Sequence, residues 1–190
     1  MQYLDIVQVG NVLRAAYKTS RRDHLMILLS FTHGLRRGEA ATLTLEDVKD
    51  GKIRVERLKG SLATIHPLRE TNNLLFNEQL ALRGWLEERR SNSDALFPSR
   101  KGDGPMKPES AGKMIARYMT LAGVPAELAH AHALKHACCS IQARAGAKIE
   151  NIAQYVGHKD IKNTRIYLNV SDDEAAASAF GALDSVAGKH

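Results

Sequence analysis

The chain is poor in cysteine. Its only two, Cys138 and Cys139, are neighbours. Adjacent residues on a helix point about 100° apart, and the pair is neither a C-x-x-C motif nor part of a second cluster, so a redox motif and a cysteine-based metal cluster are both excluded. Two small buried side chains in a reducing compartment are expected instead. No charged segment followed by an apolar run opens the sequence, so no signal peptide is expected. No apolar stretch approaches the length of a membrane span. Internal repeats are lacking, as is low complexity outside an alanine-rich tail. These absences favour a cytoplasmic globular protein. Acidic residues are the minority charge, 21 against 27 lysines and arginines, giving a net charge of +6 and a pI near 9.4. That balance favours a polyanionic partner, because each phosphate neutralised releases condensed counterions.

What is present suffices for a packed core. The chain has 190 residues, 44% of them apolar and 25% charged, which fits one domain or one domain with a small appendage. Residues 5–19 place Ile6, Val9, Val12, Leu13 and Ala16 at helical spacing. Ser20 is positioned to cap a second helix through Phe31, and Gly34 to end it in a left-handed turn. A short helix over residues 36–43 follows. Asp50-Gly51 is the strongest turn signal, joining a strand over 46–49 to the alternating run 52–58; a further turn at 59–61 leads into 62–67. The fold class expected is mainly α with a small three-stranded antiparallel sheet. Residues 70–89 read as one long helix with Leu74, Leu75, Leu80, Leu82, Trp85 and Leu86 on its buried side. Residues 91–108, holding three of the five prolines, read as an exposed loop. Helices are expected over 109–122, 132–145, 149–156, 160–168 and 172–180.

Four places carry chemistry, each with two readings. Arg36 follows the Gly34 turn and opens a helix, where a guanidinium can clamp a phosphate or simply lie solvated, with Glu39 as its ion-pair partner. Lys59 at the hairpin tip either reaches into a groove or active site or guards a sheet edge. His132, Lys135 and His136 share one helix face at i, i+3 and i+4. A zinc site there lacks a third ligand and the glutamate of H-E-x-x-H, and one packed histidine beside solvated ones is the competing reading. Tyr167, nine residues after the Gly157-His158 pair, is a partly buried tyrosine or a nucleophile.

In order, Gly34-Leu35-Arg36 with Glu39, Lys59 with Thr64-Ile65-His66-Pro67-Leu68, the His132-Ala133-Leu134-Lys135-His136 box and Gly157-His158 with Tyr167 resemble the tyrosine recombinase (phage integrase) family. The resemblance covers about residues 5–180 and departs at Lys135, where the family pattern H-x-L-R has arginine. It implies a recombinase catalytic-domain fold and a site-specific DNA recombinase, an integrase or invertase of phage or mobile-element type. Such an enzyme cleaves and rejoins double-stranded DNA through a 3′-phosphotyrosyl bond, with no metal or cofactor. The implied catalytic residues are Arg36 and Lys135 on the phosphate oxygens, His132 taking or relaying a proton, His158 bonding the phosphate, Lys59 protonating the leaving oxygen and Tyr167 attacking. It implies one catalytic domain over residues 1–190 without the family's N-terminal DNA-clamping domain: either a catalytic fragment or a short recombinase similar to the fimbrial-switch invertases, the second being favoured. Residues 171–190 would be a tail exchanged between protomers of a tetramer on DNA, with a monomer as the option for the free protein. The alternative function is a DNA-binding or architectural protein on a recombinase scaffold, disabled by Lys135.

Overall fold

A computed structural model describes residues 3–58, 60–100 and 104–167. Helix α1 (Ile6–Tyr17) begins at Asp5, whose carboxylate accepts from Gln8 N while the Gln8 side chain accepts from Asp5 N. The reciprocal pair satisfies two backbone donors that a helix start otherwise leaves bare. Ser20 caps α2 (Arg21–Thr32) through the Asp23 amide. Helix α2 is the spine of the fold, with every residue from Asp23 to Phe31 buried. It packs against α1, α4 (Glu78–Glu88), α5 (Pro108–Leu121) and α6 (His132–Arg144). Gly34, at φ +58°, turns the chain out of α2 and into α3 (Arg37–Thr42).

The sheet is smaller than expected. Among the described residues it has two antiparallel strands, β1 (Lys52–Val55) and β2 (Thr64–Pro67), with Ile53 opposite His66 and Val55 opposite Thr64. Residues 46–48, expected as a strand, form a 3₁₀ turn. The Asp47 carboxylate accepts from Thr44 N at 2.8 Å and Thr44 Oγ1 at 2.7 Å, and this local bond folds the chain where a ladder would extend it. The Asp50-Gly51 turn does form, with both φ values positive, 53° and 67°. Helix α4 also starts later than the apolar pattern suggests. Asn77 caps Leu80 N and bonds Thr71 O, and the buried Glu78 carboxylate accepts from Arg69 N. These bonds hold residues 70–77 as turns, leaving Leu74, Leu80 and Leu86 exposed and Leu82 buried.

The loop expected over 91–108 is stitched by an isolated bridge between Pro98 and Pro105. Helices α7 (Ile149–Tyr155) and α8 (Lys162–Arg165) follow α6. The helix and tail expected beyond Tyr167 lie outside the described residues. One apolar cluster joins α1, α2, α5 and α6; a second joins α2 and α5 to α3, the sheet and α4. A third is small: Cys138, Cys139, Ile152, Val156 and Tyr167. The thiols are free and buried, and burial pushes Cys138 up to about 12 and Cys139 up to about 11, so both stay protonated and inert at neutral pH. Among the described residues no helix is long and apolar enough to cross a membrane.

Candidate active site

Arg36 stands at the mouth of α3. Its Nη1 donates to Glu39 Oε1 at 2.6 Å and Leu58 O at 3.3 Å, and its Nη2 to Ser61 Oγ at 3.3 Å. Glu39 is buried and also accepts from the amides of Arg36 and Leu58. Burial alone pushes the Glu39 carboxyl up, but these donors and the Arg57 charge outweigh it and hold the group below its usual range. The carboxylate therefore ties the α3 mouth to the segment just after β1 that carries Arg57.

Arg57 was not singled out in the sequence, yet it is the interior hub. Its side chain is wholly buried. It donates to His33 O, Gly34 O, Tyr155 O, Thr64 Oγ1 and Glu39 Oε2. The signal was present: Arg57 has the same parity as the buried Ile53 and Val55, so strand alternation points it inward.

Lys135 reaches one of these carbonyls, that of Gly34, from α6. Its ammonium donates to Gly34 O at 2.9 Å and Val156 O at 3.3 Å, and the residue is 2% exposed. Burial, then the Arg57 and Arg36 charges, bring it down to about 8. Lysine has three N–H donors, and two are committed to these turns. Lys135 thereby bridges the end of α2 to the end of α7 while still bordering the cleft.

The two histidines of the box differ. His132 meets His136 edge-on, with ring centroids 4.4 Å apart. His136 Nδ1 lies 2.7 Å from the Tyr167 phenol oxygen. The sequence reading placed His136 in the motif but gave it no role. Tyr3 stacks on His136, lies against Tyr167 and donates to Ile166 O at 3.2 Å. Tyr167 is 7% exposed, and burial, followed by the Cys139 thiol, pushes its phenol above the usual range. His158 Nδ1 lies 2.8 Å from Thr164 Oγ1. Burial first, then the Lys135, Arg36 and Arg57 charges, bring His158 down to about 4.

Gly157 fixes the turn before His158. At φ +72° its carbonyl accepts from Leu62 N at 3.0 Å, and an added Cβ would sit 2.5 Å from Leu62 O. Gly157→Ala is expected to lower stability by about 1–3 kcal/mol, the usual cost of such backbone strain, measured by urea denaturation at unchanged slope.

Arg36, His132, Lys135, His158 and Tyr167 thus line one open cleft of about 1090 Å³, together with Ser61, His136, Lys159 and Asn163. Lys59 lies outside the described residues; its neighbours Gly60 and Ser61 border the cleft. Among the described residues no three His, Cys, Asp or Glu side chains are grouped as metal ligands would be.

Residues 2–174 match the model of the phage integrase family. The chain is 35% identical over 156 residues to the type 1 fimbriae regulatory protein FimE of Escherichia coli K12, covering 78% of this chain and 75% of FimE. It is 32% identical over 173 residues to FimB of the same strain, covering 87% of this chain and 82% of FimB. Its fold is similar to the XerH site-specific recombinase bound to difH substrate, with a TM-score of 0.76 at 21% identity, covering 94% of this chain and 54% of XerH. The match over nearly the whole length, together with the cleft, places the chain in the phage integrase family, that of the tyrosine recombinases.

Proposed function

We propose that this recombinase cleaves double-stranded DNA by attack of the Tyr167 phenol on a backbone phosphate, forming a 3′-phosphotyrosyl bond and freeing a 5′-hydroxyl. A partner strand's 5′-hydroxyl then reverses the step, so no external energy source is needed. The observation that carries this reading is the shared cleft: residues 36, 132, 135, 158 and 167, distant in sequence, border one cavity. Arg36 offers a fork to the non-bridging oxygens. Lys135 contributes its charge and its third N–H. With Nδ1 accepting from Thr164, His158 presents Nε2–H to the phosphate. His132 relays protons, and Lys59 protonates the leaving oxygen. Positive charge already in place where negative charge develops is the main source of rate in such a site.

XerH in its pre-cleavage complex with difH supports DNA as the partner. The similarity to FimE and FimB over most of their length supports the likeness to the fimbrial-switch invertases. In this reading residues 1–190 form one catalytic domain acting in the cytoplasm, and residues 171–190 link protomers into a tetramer on DNA.

The test is a library of duplexes with a randomised core and a strand nick that lets the 5′-hydroxyl fragment escape. Adducts surviving denaturation are sequenced. Enrichment of one core sequence is expected. Sequence-selective binding with no adduct would instead make the chain a DNA-binding module.

A further inference from the structure

We infer that His136 is the general base that accepts the proton of Tyr167 during DNA cleavage. The inference deepens the proposed function and rests on Tyr167 being the nucleophile. Its basis is geometric. The phenol oxygen lies 2.7 Å from His136 Nδ1, within the reach that direct proton transfer requires, and the His132 ring meets the His136 ring edge-on. The tautomer with its proton on Nε2 leaves Nδ1 free to accept from the phenol O–H.

The surroundings suit that role. The groups around His136 are His132, Lys135 and Cys139 on its own helix, His130 just before it, Tyr3 from the N-terminal segment and Tyr167 itself. Burial, then the charges of His132, His130 and Lys135, bring His136 down to about 4, so the ring is neutral and can accept a proton at physiological pH. Tyr3 braces the pair by stacking on His136 and bonding the Ile166 carbonyl. Because burial keeps the phenol protonated, transfer before attack is unfavourable. It accompanies P–O bond formation, when the phenol oxygen loses its basicity. The arriving phosphate also offsets the nearby cations that otherwise disfavour an imidazolium.

The balance is complete. The phenol O–H breaks, its oxygen bonds to phosphorus and its proton moves to Nδ1. The P–O5′ bond breaks with its electron pair on the 5′-oxygen, which takes a proton from the general acid assigned to Lys59. On rejoining, His136 returns its proton to Tyr167.

The test uses the full chain and the duplex selected above. His136→Gln is expected to slow adduct formation by about 10²–10⁴-fold, the usual share of general base catalysis, with its circular dichroism and DNA affinity retained. The remaining rate should rise with pH up to about 8, where Lys135 begins to lose its charge, as hydroxide takes over. Replacing Tyr167 with a polyfluorinated tyrosine acid enough to ionise near neutrality even at this buried position should restore most of the rate in His136→Gln, because the base is bypassed. A merely structural histidine predicts neither the pH change nor the rescue. A wild-type rate in His136→Gln, or a loss that fluorotyrosine does not restore, overturns the proposal. The same pair of signatures in His132→Gln instead would move the base to that residue. Adducts formed by Tyr167→Phe would remove the nucleophile itself, and this step with it.

Discussion

Tyr167→Phe is expected to abolish covalent capture of the selected duplex while its DNA affinity and fold persist. The substitution removes one oxygen. The ring keeps its place against Tyr3 and in the small cluster with Cys138, Cys139, Ile152 and Val156, so packing is preserved. What is lost is the bond to His136, with a net cost of about 0.5–1.5 kcal/mol typical of one hydrogen bond, and the nucleophile. Adduct on a denaturing gel should fall below detection, and an electrophoretic shift on the same duplex should be unchanged. Residual adduct of wild-type size would point to another nucleophile in the cleft. Loss of both adduct and shift, with an altered thermal transition, would assign the effect to folding.

Lys135→Arg is expected to change the shape of the pH profile. At subsaturating DNA the rate of adduct formation reports the free protein's ionisations. His136 and His158, both brought down to about 4, set an acid limb far below neutrality. Lys135, brought down to about 8, sets an alkaline limb. Above that pH the ammonium loses its charge, and the wild-type rate should fall about tenfold per unit. A guanidinium does not titrate in this range, so Lys135→Arg should hold its rate through pH 9. Lys135→Ala should cost about 10²–10³-fold at neutral pH, the scale of one lost oxyanion donor. A wild-type rate and profile in Lys135→Ala would remove the residue from the chemistry. Stability carries the matching sign. From about pH 8 to the ordinary lysine value of 10.5 the unfolded chain holds a proton that the folded chain lacks, so this group's contribution to stability rises with pH across that window. Calorimetry of wild type against Lys135→Met should show that rise and its loss.

Much of the fold was legible because caps and turns are local chemistry. Ser20, Gly34 and Asp50-Gly51 behave as their side chains and φ preferences dictate. The misreadings occur where a polar side chain bonds backbone or hydroxyl groups that the apolar pattern does not report. Thr44 and Asp47 convert an expected strand into a 3₁₀ turn. Asn77 and Glu78 delay α4 by bonding residues before it. Helix α2 is enclosed on all sides, so it could be recognised by its caps but not by an amphipathic stripe. At the site, residue types and order named side chains that the fold brings to one cleft. The partners did not show: that Lys135 meets two carbonyls and His136 meets the phenol depends on two helix ends and the N-terminal segment coming together.

The carbonyl of Gly34 receives both Arg57 and Lys135, two buried cations in a protein of net positive charge, the second of which also borders the cleft. Ionic strength therefore acts on two separate stocks of positive charge. Mobile ions screen the exposed lysines and arginines and compete with them for DNA phosphates. They screen the buried Arg57 far less, and its bonds to Gly34 O and Tyr155 O help hold the turns bearing Arg36 and His158. Salt loosens the protein's grip on DNA while the scaffold that grips it keeps its shape, so each release leaves a cleft ready for the next phosphate.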